Sequence, residues 1–457
     1  MHKGFLYIVL LLVLVCLQAG AAWYWPFGSD EEPKKPYNST QGKYKTDTRT
    51  ENEKIRPKRD DKNDVSVEKV RELADGGNPN AQLTLGKIYF EGLAGEDQNY
   101  KKAFKYFALS AEHDNPEGMY NLGICYDGGF GCKKDEAKAQ QWYQRAADEG
   151  VSLAQLRAAT YAESQGKADV AFKYYRMMAD DGDQEQMYHV ALCMLNAYGT
   201  AVDPEGAVGY LLRAAEEGHT RSQVKLADCY HQGVGVACDY REMANWLMVA
   251  AYAGDPEAQA KLGMCYQTGR GVEKNAEIAL KWYKIGAETD FVDALYLLGC
   301  AYRDGIGTKK DEAKALEAFL KAAEQGDSLS QLEMAEICRN GRGMVADVEK
   351  ALEWYRKAAE AGLGLAQARY GALLCTGTAK HEANAAEGQK WLDKALDGKQ
   401  PLAVVQVAMC YLNGDGVAVD RDRARRILVD AAARGSKEAK AIYELYFENG
   451  TAGAEEK

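Results

Sequence analysis

Apolar residues recur at helical spacing through most of the chain, and the same two-helix pattern returns many times. The clearest copy occupies residues 256–290. Within it, Ala258, Leu262 and Cys265 fall on one face of a first helix, and Trp282 lies on the apolar face of a second helix. Each copy is a helix-turn-helix unit that cannot bury its apolar face alone, so the copies are expected to stack on one another.

A small residue in the middle of the first helix marks each copy and sets the period. These positions are Gly86, Gly123, Ala159, Ala191, Ala227, Gly263, Gly299, Ala335, Gly371 and Ala408, with Glu444 in a last half-copy. Most neighbours are 36 residues apart, as Ala227 and Gly263 are. A fixed period in this range is typical of stacked repeats. We therefore predict an all-α solenoid of about ten and a half helix-turn-helix repeats of 36 residues, spanning 65–450.

Turn and capping residues support the same division of the chain. Gly269 and Gly271 end the first helix of the clearest copy, because glycine readily adopts the left-handed conformation of a helix exit. Asn275 stands where a side-chain oxygen caps the following helix. Equivalent caps are predicted at Asp135, Asp203, Asp311, Asp347 and Asp420. The third repeat is shorter, since Ala159 and Ala191 are only 32 residues apart, and we expect a local change in curvature there.

The clearest copy also resembles a known family. The residues from Leu262 to Val272 follow the order LG-x-x-Y-x-x-G-x-G-V, and Trp282-Tyr283 supply the W-Y pair of the second helix. These features are similar to the Sel-1-like repeat, a relative of the tetratricopeptide repeat, and the resemblance covers about 66–449. It implies a right-handed α-solenoid that acts as an adaptor in assembly, signalling or protein quality control. Because one fold serves many functions, the resemblance does not identify the partner.

The two ends of the chain differ from the repeats. Residues 1–22 combine a weakly basic start, an apolar run and the small residues Ala19-Gly20-Ala21, which predicts a cleaved signal peptide. Residues 23–64 are predicted to form a disordered linker, because 28–64 contain few large apolar side chains, and the short tail 451–457 is predicted to be disordered as well. An uncleaved N-terminal anchor is the alternative, because the aromatic cluster of Trp23, Tyr24, Trp25 and Phe27 suits a membrane interface. Both interpretations place the repeats outside the cytoplasm, in the periplasm, the endoplasmic reticulum lumen or the medium.

A row of basic side chains is the candidate partner site. When each first helix is numbered from its leading small residue, so that Ala258 is position one, position four is predicted to face solvent on the inner surface of the stack. Repeats three to six carry Arg157, His189, Lys225 and Lys261 at this position. Such a row could hold an acidic peptide or a terminal carboxylate through charge-assisted hydrogen bonds. The alternative is an ordinary solvated face.

Glutamine recurs at position two of the first helix. The residues are Gln82, Gln155, Gln223, Gln259, Gln331 and Gln367. We interpret them as packing residues, with capture of an extended peptide backbone as the alternative.

Charge limits the classes of partner. The 457-residue chain has a net charge of −11. Nucleic-acid binding proteins carry a basic footprint, so we do not expect a nucleic-acid partner. A protein or a peptide, with acidic character if the basic row is used, is the expected partner.

The cysteines are candidates for two local disulfides and for no metal site. Cys125 with Cys132, and Cys229 with Cys238, each combine a helix end with the following turn, so a bridge is feasible in either pair. Cys229, His231 and Cys238 lack an obvious fourth zinc ligand and a Cys-x-x-Cys spacing, so we predict no metal and no cofactor.

No familiar catalytic motif occurs in the chain, and we predict that it is not an enzyme. The expected function is that of an exported scaffold that binds a peptide or a protein in the concave groove of the solenoid. The first alternative is a membrane-anchored quality-control adaptor. A hydrolase of the cell envelope is the less favoured alternative from a different functional class.

Overall fold

The described part of the chain is helical. The computed structural model describes residues 67–448, which contain 22 α-helices and no strand. The predicted signal peptide 1–22, linker 23–64 and tail 451–457 lie outside the described residues. None of the helices within 67–448 combines the length and the apolar character that crossing a bilayer requires.

The helices are numbered here in chain order. They are α1 (Val67–Asp75), α2 (Pro79–Glu91), α3 (Tyr100–Glu112), α4 (Pro116–Gly128), α5 (Glu136–Asp148), α6 (Ser152–Ser164), α7 (Ala168–Asp180), α8 (Gln184–Leu195), α9 (Pro204–Glu216), α10 (Thr220–Gln232), α11 (Tyr240–Tyr252), α12 (Pro256–Thr268), α13 (Ala276–Ala287), α14 (Val292–Asp304), α15 (Glu312–Glu324), α16 (Ser328–Asn340), α17 (Val348–Glu360), α18 (Gly364–Thr376), α19 (Ala385–Asp397), α20 (Pro401–Asn413), α21 (Arg421–Ala433) and α22 (Lys437–Tyr443). A π-helical turn, Glu444–Glu448, follows α22.

Ten helix pairs, from α2/α3 to α20/α21, form the stacked repeats, and the predicted all-α solenoid is confirmed. The two helices of each repeat pack on one another, and each second helix also packs on the first helix of the next repeat. At the N-terminal end α1 packs on α2 in the way that a second helix would. At the C-terminal end α22 packs on α20 and α21 as an unpaired first helix.

The first helices line the inner side of the stack. Those of neighbouring repeats contact each other directly, as α12 and α14 do, and α18 and α20. Within residues 67–448 no two second helices approach each other to the same extent. Because the more closely packed layer of a curved stack lies on its inner side, the first helices form the concave surface and the second helices the convex one.

The small residue at the centre of the first helix fits the ring that faces it. A β-carbon added to Gly263 would lie 2.5 Å from the ring of Tyr283, so a side chain there would clash. Glycine faces a ring in the same way at Gly86/Phe107, Gly123/Tyr143 and Gly299/Phe319. Three repeats with alanine at this place carry leucine at the position of Tyr283, namely Leu211, Leu247 and Leu428. The two positions therefore match in size in most repeats.

The position-two glutamines join the two helical layers. Gln259 Nε2 donates to the Ala251 carbonyl at the end of the preceding second helix, at 3.1 Å. The same bond, always eight residues back, is made by Gln82, Gln155, Gln223, Gln331 and Gln367. The last carbonyls of a helix have no partner within the helix, and the buried amide supplies one. These side chains are packing residues, as the sequence suggested.

The turns between the helices use the predicted caps. The Asn275 side chain accepts from the backbone N–H of Ile278, and the five aspartates predicted as caps accept in the same manner. Gly271 is held close to the preceding repeat, because a β-carbon there would lie 1.7 Å from the Tyr240 carbonyl oxygen. In the short third repeat Lys167 precedes the second helix, which begins without a side-chain cap.

Candidate functional site

Position four of the first helices, called the inner row below, is where sequence predicts the partner contacts. The structure separates the four basic residues predicted as the site, Arg157, His189, Lys225 and Lys261. Lys261 is buried, with 1% of its surface exposed. Its Nζ lies 2.7 Å from Asp228 Oδ1 and 2.8 Å from Glu257 Oε1. Both neighbouring carboxylates neutralise the ammonium, so the prediction that Lys261 is a solvent-facing contact for a partner is wrong.

The pKa of Lys261 reflects this environment. Burial lowers the pKa, whereas the charges and hydrogen bonds of Asp228 and Glu257 raise it, and the net result is a raised pKa. The ammonium is therefore charged at neutral pH and links the first helices of repeats five and six.

Arg157 and His189 are also engaged within the solenoid. Arg157 Nη1 lies 3.6 Å from Asp127 Oδ2 of the preceding repeat, and the guanidinium lies 5.2 Å from the centre of the Tyr143 ring. Its side chain is nevertheless 43% exposed. His189 contacts the Tyr175 ring edge-on, with the ring centres 4.3 Å apart. Burial lowers the pKa of His189 despite the opposing charge of Glu163, so this imidazole is mostly neutral at neutral pH.

Lys225 differs from the other three. It is half-buried, and no ion pair involves it among residues 67–448. Lys261 pairs with position seven of the preceding repeat and Arg157 with position ten. The equivalent positions before Lys225 are Leu192 and Leu195, so the preceding repeat has no carboxylate where Lys261 and Arg157 find theirs.

Ion pairs between repeats extend along the inner row. Arg369 lies 3.5 Å from Glu336, which is at position seven of the preceding repeat. At the next ion pair the charges are exchanged, because position four carries the carboxylate. Glu333 accepts a hydrogen bond from Arg303, which is at position ten of the preceding repeat. Most of the charged inner row therefore stabilises stacking. A comparison of position four with positions seven and ten of the preceding repeat is the sequence signal that would have revealed these pairs.

The ten described cysteines are free thiols. Cys132 Sγ donates to the Cys125 carbonyl at 3.4 Å, and Cys238 Sγ donates to the His231 carbonyl at 3.3 Å. The two disulfides considered from the sequence are thus not formed in this structure. Within residues 67–448 no three histidine, cysteine or acidic side chains are arranged to hold a metal ion, and Cys229 is not part of such a group.

Acidic side chains gather beside Lys261 at the N-terminal ends of α12, α14 and α16. Burial raises the pKa of Asp293 to about 6, and the carboxylates of Asp327 and Glu257 add to this effect. Lys261 partly opposes it. The group lies where the first helices begin, and its charge balance depends on the same buried lysine.

Comparison with known proteins agrees with this architecture. The crystal structure of c5321, a protective antigen of uropathogenic Escherichia coli with an SLR fold, superposes with a TM-score of 0.61 and 28% identity over 84% of this chain and 83% of that one. The rat protein named DAP3-binding cell death enhancer 1 is 34% identical over 95 residues, which are 21% of this chain and 18% of the rat protein.

A plant protein is similar over a shorter stretch. The ERAD-associated E3 ubiquitin-protein ligase component HRD3B of Arabidopsis thaliana is 45% identical over 51 residues, which are 11% of this chain and 8% of that protein. The chain thus spans less than a fifth of the length of these two curated relatives.

The model of the Sel1 repeat matches ten stretches of the chain. They are 79–115, 116–151, 152–183, 187–219, 220–255, 256–289, 292–327, 328–363, 364–399 and 401–436. These stretches coincide with the ten helix pairs from α2/α3 to α20/α21. Since they make up more than half of its residues, the chain belongs to the Sel1 repeat family.

Proposed function

We propose that the protein is an exported scaffold that binds an acidic segment of a partner protein on the inner surface of repeats four and five. Sel1 repeat proteins are protein-interaction scaffolds, and a solenoid of this kind is typically not catalytic. The observation that carries the proposal is Lys225, a basic inner-row residue without an ion-pair partner among residues 67–448. A carboxylate of the partner would supply the missing charge.

The surroundings of Lys225 suit such a contact. Lys225 is only half-buried, which leaves part of its side chain open to a ligand. Leu192 and Leu195 offer apolar surface on the preceding repeat, where other repeats carry a carboxylate. An acidic residue followed by an aliphatic one would satisfy both features, because a charge-assisted hydrogen bond gains strength next to apolar surface. Arg157, which is partly exposed, would extend the contact toward the N-terminal repeats.

The names of the relatives are consistent with a scaffold. One is described as binding DAP3 and another as a component of a ubiquitin ligase. Export rests on the predicted signal peptide 1–22, with a membrane-anchored quality-control adaptor as the alternative if this segment is not cleaved. We infer that the chain is not an enzyme, and the envelope hydrolase stays the less favoured alternative.

Affinity capture with the full-length protein from a lysate of the source cells tests the inner surface. Lys225→Glu reverses the charge of the proposed contact, and Lys309→Glu makes the same change at an exposed turn residue outside the inner row. We expect the wild type and Lys309→Glu to retain a common partner and Lys225→Glu to lose it. Equal retention by both variants would show that the partner binds elsewhere.

The export proposal has a separate test. Fractionation of the source cells and N-terminal sequencing of the mature protein distinguish cleavage from anchoring. A protein that starts near Trp23 and is released from membranes supports export, whereas an intact N-terminus in the membrane fraction supports the anchored alternative.

A further inference from the structure

The convex surface has a regular pattern that the repeats themselves define. When each second helix is numbered from its first residue, so that Tyr240 of α11 is position one, position ten carries a basic residue in five repeats. These are Arg145, Arg213, Lys321, Lys357 and Lys394. In four of the five repeats the cation lies over the aromatic ring at position seven. The pairs are Arg145/Trp142 at 4.6 Å, Arg213/Tyr210 at 5.7 Å, Lys357/Trp354 at 4.0 Å and Lys394/Trp391 at 4.6 Å.

Repeats five and six depart from this pattern together. Trp246 and Trp282 occupy position seven, but Val249 and Ile285 replace the cation at position ten. These two side chains are 49% and 40% exposed. Elsewhere position ten is apolar only where the side chain is half-buried, in repeats one and three, and it is an aspartate in repeat ten. Among the ten second helices, only α11 and α13 therefore carry an exposed aliphatic residue at position ten.

A third departure from the pattern lies at the C-terminal end of α11. Position thirteen is acidic in eight of the ten repeats, at Glu112, Asp148, Asp180, Glu216, Glu288, Glu324, Glu360 and Asp397. Repeat five carries Tyr252 instead, and this residue is 75% exposed. Its ring stands edge-on to Trp282, with the ring centres 5.3 Å apart. Three polar positions have thus become apolar on two neighbouring helices.

We propose that Val249, Tyr252 and Ile285, called the outer patch, bind an amphipathic helix of a partner protein that carries acidic residues beside its apolar face. Such helices dock through apolar side chains at i, i+3 or i+4, and i+7. Val249 and Tyr252 lie on α11 and Ile285 lies on α13, so the outer patch spans two consecutive second helices. This surface is on the opposite side of the solenoid from Lys225, so it is independent of the proposed inner contact.

The charge around the outer patch indicates the acidic character of the partner. Lys281 and Lys284 are exposed on α13, on either side of Trp282 and next to Ile285. Neither forms an ion pair with any of the residues described. In the next repeat, Lys321 at position ten is by contrast paired with Glu317, which occupies the position of Lys281. Carboxylates on the partner helix would therefore meet two ammonium groups that have no internal counterion.

The size of the outer patch favours a helix over a second copy of the chain. A stable interface buries about 800 Å² on each partner, and three partly exposed side chains supply only a fraction of this area. A patch of limited size on a monomer is often functional. One amphipathic helix, with two or three anchoring side chains, matches its dimensions.

The test uses the full-length protein and a synthetic probe. The probe is a fluorescein-labelled helical peptide with leucine at i, i+4 and i+7 and glutamate at the flanking positions. A second peptide has alanine in place of leucine, and a third has lysine in place of glutamate. The variant Val249→Arg/Tyr252→Glu/Ile285→Lys restores at each position the type of residue that the other repeats carry, so the fold should tolerate it. The matched control Lys357→Ala/Lys394→Ala alters the same face three repeats away.

We expect the acidic leucine peptide to bind the wild type and the control variant equally in fluorescence anisotropy. Its affinity for the triple variant should fall about tenfold or more, and both altered peptides should bind the wild type weakly. A photo-crosslinker at a leucine position should label α11 or α13. The proposal is overturned if the wild type does not bind the probe or if the triple variant binds it equally. It is also overturned, in favour of self-association, if sedimentation shows a dimer of the wild type that the triple variant does not form.

Discussion

Lys261 of the sixth repeat lies 2.7 Å and 2.9 Å from the two carboxylate oxygens of Asp228 in the fifth repeat. The side chain that the sequence marks as a contact for a partner is thus an internal link between two first helices. Lys225, one repeat earlier and at the same position, has no such link among the described residues. We infer that equivalent residues of one solenoid serve either stacking or binding. The outcome depends on whether the preceding repeat supplies a carboxylate.

Charge reversal should separate these two roles. We expect Lys261→Glu to lower the free energy of unfolding by about 3–5 kcal/mol, because it buries a third carboxylate beside Asp228 and Glu257. Lys225→Glu should change it by only about 0.5 kcal/mol, as is usual at a partly exposed position. Thermal and urea denaturation of both variants measures the difference. The double variant Lys261→Met/Asp228→Leu should regain part of the loss, and equal melting temperatures for the two single variants would contradict this assignment.

Because Gly263 is packed against the Tyr283 ring and Gly209 has no such neighbour, alanine should change the free energy of unfolding in opposite directions at these two positions. Alanine is the better helix former, and Gly209→Ala should raise the free energy of unfolding by about 0.5–1 kcal/mol, because a β-carbon there meets no atom within 4 Å. Gly263→Ala should instead lower it by about 1–3 kcal/mol, because its β-carbon overlaps the ring. Adding Tyr283→Leu reproduces the Ala227 and Leu247 combination of repeat five and should relieve the overlap.

Denaturation of these three variants measures the effect. A stabilising Gly263→Ala, or a loss that Tyr283→Leu does not reduce, would show that the ring moves aside at little cost.

The buried side-chain oxygen of Gln223 lacks the hydrogen bond that the equivalent Gln82 makes, which offers a way to stabilise the solenoid. Gln82 Oε1 lies 3.0 Å from His113 Nδ1, at the residue that ends α3. The Oε1 atom of Gln223 is buried and has no hydrogen-bond partner among the described residues, and Ala253 takes the place of His113 at the end of α11. We expect Ala253→His to raise the free energy of unfolding by about 1 kcal/mol by supplying a donor.

Ala253→Leu is the control for added bulk, and both variants are measured by thermal denaturation. If leucine stabilises the protein as much as histidine does, the gain does not come from the hydrogen bond.

The raised pKa of Asp293 predicts a pH dependence with a definite sign. Burial raises the pKa of Asp293 to about 6 in the folded protein, against about 4 in an unfolded chain. The unfolded state therefore loses its proton first as the pH rises, and folding becomes less favourable between about pH 4 and pH 6. We expect Asp293→Asn to stabilise the protein at pH 7 by about 1 kcal/mol, a figure reduced because the side chain is partly exposed. The gain should disappear below about pH 4.

Melting temperatures of both proteins across this pH range provide the measurement. A difference that does not vary with pH would show that the ionisation of Asp293 is not its cause.

Thiol reactivity should follow burial. Cys238 is exposed, and burial raises the pKa of the Cys125, Cys193 and Cys265 thiols to about 12. Because the thiolate is the reactive form, iodoacetamide at pH 8 should modify Cys238 well before these three. Peptide mapping by mass spectrometry follows the order of modification. Protection of Cys238 that a reducing agent removes would instead indicate the bridge with Cys229.

The sequence determined the repeat architecture of this protein. The 36-residue period, the glycine turns and the cap at Asn275 depend on backbone conformation and on contacts within a few residues. The local pattern therefore predicted each helix pair without knowledge of the stacking. The glutamine at position two was also read correctly as a packing residue, because it recurs in register with the apolar face.

Tertiary structure decided which polar residues are available to a partner. Lys261 and Lys225 occupy the same position of their repeats, and the distance to Asp228 shows that Lys261 is neutralised. The exposure of Val249 and Ile285 likewise depends on how the second helices stack. The physical reason is that secondary structure follows from short-range periodicity, whereas burial and ion pairing follow from distances between residues more than thirty positions apart, which stacking alone fixes.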